Sequence, residues 1–568
     1  MKYILTILLI IIIHQVAYSA DELLSPIEYQ PTFSQQVQRK LQKIEENYSP
    51  KRITILEFNE YSNLNNCTIR IFPTETYELV RLQTEDEKAY KYSIKDHDNS
   101  EAFFVLNGNR LRGIFYTDEK KYEVFPLENS YHAVVLLPDN YMPIPACADD
   151  LPSGDNHKDN HNELQDITQE LFIRVMVVYT PSASAERGGS ESIKEDIELA
   201  IYLTNDSYSN SDVSQRVQLA RIMEVYYSES SSYITDLNRV TGTSDGYMDD
   251  IHSVRDIYSA DIVVLIADRD DLCGVAFLNS TSADYAFCLV SSYSTCMTYY
   301  YSFAHEMGHI MGCRHNVEVD PNTYPYAYGH GYCYSDGDWR TIMSYNTDCV
   351  DRQRYWSNPD ILYNGTEMGN TSRADNARVL DDTKSRSMNY LITETDYTID
   401  IDVIDSYDYC DIFVRQNAET NTGLSVESNA TLIIRAGNSV KINTGFHSKP
   451  GSAFRASIES DTSSEPRDIP VLSYLDQLSE TVTNERLINT PNPFSESTRI
   501  VFRLEESSNA SLIIHNTIGE KVITLLNDEY FGEGQHSVEF LRNNLEAGMY
   551  FYTLTTNNFT ITEKMIVY

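Results

Sequence analysis

From residue 20 to about 148 apolar and polar positions alternate, as in KRITILEF (51–58) and YHAVVLLP (131–138). A period of two predicts strands joined by turns. ADDLPSGDNHKDNHNELQD (148–166) then has almost no apolar residue and predicts an exposed linker open to proteolysis. Its histidines, His157 and His161, are expected to be solvated linker residues rather than a metal tract. Beyond the linker the texture changes. LFIRVMVVYTPSA (171–183) and ADIVVLIAD (260–268) are β-branched apolar runs that predict buried strands. Between them, SESIKEDIELAIYLTNDSY (190–208) carries Ile193, Ile197, Ala200 and Ile201 at helical spacing. Strands alternating with helices predict an α/β domain over about 168–395. Short strand-like runs without helical period fill 400–462, ESDTSSEPRD (459–468) is a second polar linker, and 486–568 is strand and turn again. An all-β sandwich is expected there. No internal repeat stands out.

A chain of 568 residues exceeds one core, so several domains are expected. A formal charge of −40 repels phosphate backbones and makes nucleic acid an unlikely partner. The start, MKYILTILLIIIIHQVAYSADELL, has Lys2, an apolar core from Ile4 to Ile13 and the small-x-small run Ala17-Tyr18-Ser19. That order predicts a cleaved signal peptide over 1–19. No later segment approaches a spanning length, so the mature chain is expected to be exported without a membrane-spanning segment. Export makes disulfides the expected state of paired cysteines. Six of the nine, Cys273, Cys288, Cys296, Cys313, Cys333 and Cys349, crowd one region and allow 15 pairings. Cys333–Cys349 is one candidate bridge.

Chemistry concentrates in YSFAHEMGHIMGCRHN (301–316). His305 and His309 are four apart, so a helix stacks them on one side, as two imidazoles gripping one zinc ion require. Glu306 sits beside the first ligand, placed to act as general base on a metal-activated water. Gly312 can take a left-handed conformation and stop the helix, letting the chain turn back so that His315 supplies a third nitrogen. Three protein ligands leave the open position that a catalytic zinc needs. His330 is expected to be a structural loop residue. No loop shows a calcium spacing, so Ca2+, though common in exported proteases, has no motif here.

With Met343 following in DWRTIMSYNTDC (338–349), the H-E-x-x-H-x-x-G-x-x-H pattern resembles the metzincin zinc endopeptidases. The reprolysin-like bacterial branch fits best, through DLCGVAFL (271–278), YAYGHGY (326–332), WRTIMSY (339–345) and SNPDILYNGTEMG (357–369). The resemblance covers about 168–395 and implies His305, His309 and His315 as zinc ligands, Glu306 as base and Met343 as the sulfur floor beneath the metal. It implies that Gly274-Val275-Ala276 is an edge strand pairing with substrate backbone. Two features depart from the branch. Asn316 stands where reprolysins usually have Asp. Tyr345, two after Met343, is placed as in astacin-like enzymes, where it moves onto the metal or stabilises the oxyanion; a plain rim tyrosine is the equal alternative. Some bacterial relatives cleave beside aspartate, but no basic pocket is legible here.

Residues 20–147 are then expected to be an inhibitory β-rich prodomain and 148–167 the activation segment. PIPACADD (143–150) loosely resembles a metzincin cysteine-switch segment, making Cys147 either the thiolate that closes the metal or the partner of Cys67 in a disulfide. At the other end, NTPNPFSESTRIVFRL (489–504), IHNTIGEKV (514–522), GEGQHSVEF (532–540), LEAGMYFYTL (545–554) and TEKMIVY (562–568) resemble the sorting domain of type IX secretion cargo. That implies the type IX secretion machinery as a partner and a secreted or surface-attached product. AGNSVKINTGFHSKPGSAFRASI, within 400–462, resembles a small β module of such exported proteins. The expected whole is multidomain: an α/β (metzincin-like) catalytic domain between a β-rich prodomain and C-terminal all-β domains. Its expected function is a zymogen-derived zinc endopeptidase acting on proteins or peptides. A surface adhesin on a metalloprotease scaffold is the alternative, and the intact Glu306 and histidine set weigh against it.

Overall fold

A computed structural model describes residues 22–138, 172–458 and 487–567, apart from short stretches inside those spans. The expected signal peptide, the 148–167 linker and Cys147 lie outside the described residues.

Nine strands, from Glu22–Pro26 to Tyr131–Leu136, close into a barrel. All neighbours are antiparallel except Glu22–Pro26 against Asn66–Phe72, the pair that closes the ring. Period two decides the inside: Cys67, Ile69 and Ile71 are buried while Thr68 and Arg70 between them are not. Closure leaves no exposed sheet edge. Helix α1 (Gln35–Tyr48) starts where the Ser34 hydroxyl accepts the Val37 N–H. Its Val37, Ile44 and Tyr48 cover the barrel's Phe125, Ala133 and Val135.

The α/β domain is built on a sheet ordered Gly274–Ala276, Phe287–Ser291, Ile262–Ala267, Phe172–Tyr179, Arg216–Glu224. All pairs are parallel except the edge strand Gly274–Ala276. Along Phe172–Tyr179, Ile173, Val175, Val177 and Tyr179 face one core while Met176 and Val178 face another. Helices α2 (Pro181–Arg187), α3 (Ser190–Asn210), α4 (Tyr233–Thr241), α5 (Asp250–Ile257), α6 (Ser302–Met311) and α7 (Asn376–Ser387) complete the domain. α3, α6 and α7 pack in the first core, α4 and α5 in the second.

The 400–462 region corrects the reading that no repeat is present. Strands starting at 396, 417 and 439, at 403, 425 and 447, and at 409, 431 and 453 stack as three parallel faces. This is a three-rung β-solenoid whose rungs recur about every 22 residues, with Asn-Thr-Gly at 421–423 and again at 443–445. Both glycines take positive φ, 86° and 83°, and stack in register at one corner. One face continues the catalytic sheet, Tyr409–Val414 running antiparallel to Arg216–Glu224. The sheet therefore has eight strands.

The C-terminal residues form a separate compact unit. A three-stranded and a four-stranded sheet there enclose Ile500, Phe502, Leu512, Ile514, Leu554 and Met565, a β-sandwich.

The barrel sits on the α/β domain through charge. Arg112 of the barrel is buried between Glu123 (2.7 Å) and Asp196 of α3 (2.5 Å), and Asp196 also binds Arg187 of α2. The Arg187 guanidinium donates to the Tyr48 hydroxyl of α1. A second cluster joins Glu101 and Lys91 of the barrel to Arg354 and Asp206.

Candidate metal centre and active site

Helix α6 is buried along its whole length. Gly308 is the reason it can lie so close to its neighbours: a Cβ there would come 2.7 Å from the Trp356 ring and 2.9 Å from Met343 Sδ. Gly312, at φ 105°, ends the helix, and the N–H groups of Asn279 and Ser280 take the carbonyls of His309 and Ile310. The reversal at Gly312 brings His315 back over the helix.

The three Nε2 atoms then form a small triangle: His305 to His309 3.1 Å, His309 to His315 3.0 Å, His305 to His315 3.2 Å. Among the described residues these are the only three His, Cys, Asp or Glu side chains grouped so that one ion fits between them. His305 Nδ1 lies 2.9 Å from the Ile342 carbonyl and His309 Nδ1 2.8 Å from that of Cys313. A carbonyl only accepts, so each Nδ1 carries the proton and each Nε2 turns its lone pair inward. Burial pushes all three imidazoles below their ordinary range, His309 to about 4, and keeps them neutral. The donors suit a tetrahedral ion, whose nitrogens at zinc–nitrogen distances stand about 3.3 Å apart.

Glu306, fully buried, lies against the edge strand. A Cβ at Gly274 would be 2.5 Å from Glu306 Oε1, so that position must be glycine for the carboxylate to sit there. Val275 and Ala276 continue the edge strand, and the Cys273–Cys296 disulfide ties its start to the segment before α6. Cys333–Cys349 is also bridged, as suggested from sequence. Cys67 is buried in the barrel core. Cys288 and Cys313 are buried outside any disulfide. Burial and the nearby Glu306 push the Cys288 thiol up, so it stays protonated.

Met343 is fully buried, its Sδ 2.9 Å from where a Cβ on Gly308 would stand. The Tyr345 ring centroid lies 4.1 Å from that of His315, and its N–H donates to Asn316 Oδ1 at 2.9 Å. Asn316, the departure from the reprolysin pattern, thus ties the third-histidine loop to the Met343 turn. His330 supports the same loop, its Nδ1 donating to the His315 carbonyl at 2.8 Å. A Cβ at Gly331 would come 2.6 Å from the Met343–Ser344 peptide. Asn316, Gly331 and Trp356 act through contacts that spacing along the chain does not encode.

The chain belongs to the reprolysin-like metallopeptidases. The family model described as Metallo-peptidase family M12B Reprolysin-like matches residues 170–374, and one described as Secretion system C-terminal sorting domain matches 490–568. A "Peptidyl-Asp metalloendopeptidase" of Stenotrophomonas maltophilia (strain K279a) is 41% identical over 299 residues, 51% of this chain and 70% of the relative. One of the same name from Xanthomonas campestris pv. campestris is 40% identical over 289 residues, 50% of this chain and 68% of the relative. The solved metalloproteinase-II from Bacteroides fragilis is similar at TM-score 0.32 and 11% identity, over 51% of this chain and 86% of that one, too distant to carry an argument. The protein is thus a metalloendopeptidase with a tail that marks it for type IX secretion. No helix among the described residues is long and apolar enough to cross a membrane.

Proposed function

We propose that this chain is a zinc endopeptidase, held latent by its N-terminal barrel until export, that cleaves proteins beside aspartate residues. The observation that carries the zinc reading is the convergence of three neutral, buried Nε2 atoms within hydrogen-bonding distance of one another. His305, His309 and His315 would hold a zinc ion, which would supply a Lewis acid and lower the pKa of a water toward neutrality. Glu306 accepts that water's proton on its carboxylate and passes it to the leaving amine. The edge strand Gly274–Ala276 aligns the substrate as an added antiparallel strand, bringing its scissile carbonyl beside Glu306. Met343 packs below the histidines and fixes their height. Tyr345 either hydrogen-bonds the developing oxyanion or stays a packing partner of His315, and Tyr345→Phe separates the two: a fall in kcat at unchanged KM marks the first.

The aspartate preference comes from the relatives' name. Latency is supported by the barrel's hold on both flanks of the site. Glu123 accepts from the Thr298 hydroxyl just before α6, and Lys121 pairs with Asp351 after the Met343 turn. The 148–167 segment is the place for maturation, and the sorting domain engages the type IX machinery. Zinc analysis and chelator-sensitive cleavage of a denatured protein by the full chain, beside its Glu306→Gln twin, test the reading. One zinc in both with cleavage only by the parent is expected. A folded parent without zinc overturns it.

A further inference from the structure

The two buried clusters that seat the barrel divide evenly along its boundary. In the first, Arg112 and Glu123 of the barrel pair at 2.7 Å and Arg187 and Asp196 of the α/β domain at 2.5 Å, with Arg112–Asp196 joining the halves. In the second, Lys91 pairs with Glu101 (3.3 Å) on the barrel side and Arg354 with Asp206 (2.6 Å) on the other, joined by Lys91–Asp206 and Arg354–Glu101. Removing one partner from a buried ion pair leaves a charge without compensation and is strongly destabilising. Parting the barrel from the α/β domain does no such thing, because each side keeps one cation and one carboxylate from each cluster. An interface that only had to hold one rigid body together would gain nothing from that division.

The rest of the seat has the same character. The barrel is a closed ring with a core of its own, which includes Ile69, Phe104, Phe115, Val124 and Val134. Phe103 and Ile114, by contrast, belong to the core cluster of the α/β domain, and the Phe103 ring lies 6.0 Å from that of Tyr202 on α3. An apolar centre ringed by charge is the anatomy of a surface shared by two folded bodies. Three further pairs, Lys43–Glu186, Arg110–Glu195 and Lys121–Asp351, each set a barrel cation against an acid of the α/β domain. Charge arranged in this way speeds encounter, and its effect weakens with salt.

Resting on the latency proposed above, we propose that the barrel is a detachable inhibitor: cutting the 148–167 segment leaves it docked, latency ends only when it departs, and a departed barrel docks again. The cut breaks one C–N bond and adds the elements of water to the two new ends, and no residue of the seat changes. Departure is then an equilibrium set by concentration and salt rather than by the cut itself.

The test uses the full chain, zinc-loaded, with the 148–167 segment cut by an added protease; the Glu306→Gln form reads docking and the parent reads activity. At about 0.1 M salt the cut chain is expected to elute as one particle and to stay as latent as the uncut one, and at about 1 M the barrel separates. The remainder, returned to low salt, should cleave a denatured protein, and barrel recovered from the Glu306→Gln chain should silence it again. Arg110 pairs with Glu191 and Glu195 across the boundary, so Arg110→Gln should raise the barrel concentration for half-inhibition by about 10- to 100-fold and flatten its salt dependence. Lys43→Gln, at a half-exposed site on α1, should do the same more weakly and decides the matter if Arg110→Gln does not fold. A barrel that leaves at low salt as soon as the segment is cut, or that stays docked while the cut chain cleaves freely, overturns the proposal and leaves the latency of the intact chain standing. A cut chain that stays whole and latent at both salt concentrations and in both variants overturns it as well, and a separated remainder that cleaves nothing overturns the inhibitory role. An uncut chain as active as the separated remainder overturns the latency reading and the proposal together.

Discussion

At the metal centre the three imidazoles come from eleven consecutive residues, His305 to His315, and the helix that carries two of them also carries the acid. At the seat of the barrel nothing is local: Arg112 meets Asp196 across 84 residues, and Arg354 meets Glu101 across 253. Both sites are buried, both are polar, and their electrostatics run in opposite directions. At the centre burial discharges the imidazoles and leaves lone pairs for a cation. At the seat burial likewise opposes charge, but Arg112 and Arg187 together hold Asp196 ionised, its carboxyl below the ordinary range. A buried site thus either empties its charge or cancels it, and the choice depends on whether the partner is a ligand or another side chain.

The comparison is broken most directly at Glu306. Glu306→Gln should lower kcat by about 10²- to 10⁴-fold with zinc content unchanged, read by steady-state kinetics and metal analysis. At the seat, Arg112→Met leaves Glu123 buried beside Asp196 without its cation, and should cost about 3–5 kcal/mol in urea unfolding. If the centre is as self-contained as its spacing suggests, that variant still binds one zinc. Gly308→Ala drives a methyl group into Trp356 and Met343 and should cost about 1–3 kcal/mol, together with zinc affinity. Equal zinc affinity in parent and Gly308→Ala would show that the Met343 floor does not set the height of the histidines.

A smaller effect separates the barrel's own charges from its seat. Burial pushes Glu75 up, but hydrogen bonds from Tyr122, Lys120 and Arg52 outweigh it and hold its carboxyl at about 2, against an ordinary 4.5. A depressed carboxyl contributes stability above its unfolded pKa and loses it as pH falls toward the folded one. Barrel stability should therefore decline between about pH 4.5 and about pH 2, and Glu75→Gln should flatten that slope in a denaturation series. The smallest change is expected in the solenoid, where Gly423→Ala strains a positive-φ corner by about 1 kcal/mol.

What was legible follows the range of each interaction. The two buried strands and α3 were visible because a period of 2 or 3.6 is written in adjacent residues. The solenoid was not, because a repeat of about 22 residues is carried by shape at inward positions such as Ile412 and Ile434, and only Asn-Thr-Gly recurs as letters. Its continuity with the catalytic sheet was equally invisible, since strand pairing between residues 221 and 410 has no local signature. Of the six crowded cysteines, sequence suggested Cys333–Cys349 but gave no ground for Cys273–Cys296, a pairing that depends on where the edge strand lies relative to α6.

The sequence by itself determined the identities and spacing of the metal-site histidines, the acid between them, the stop at Gly312 and the family to which these belong. Helical geometry translates such spacing directly into position. Only the tertiary structure decided that Gly274 and Gly308 must lack side chains, that Asn316 takes the Tyr345 N–H, and that Arg340 stands beside Arg352. Each of those depends on which distant segment packs against which. That is fixed by the burial of whole faces and the pairing of charges across them, and not by any short run of residues.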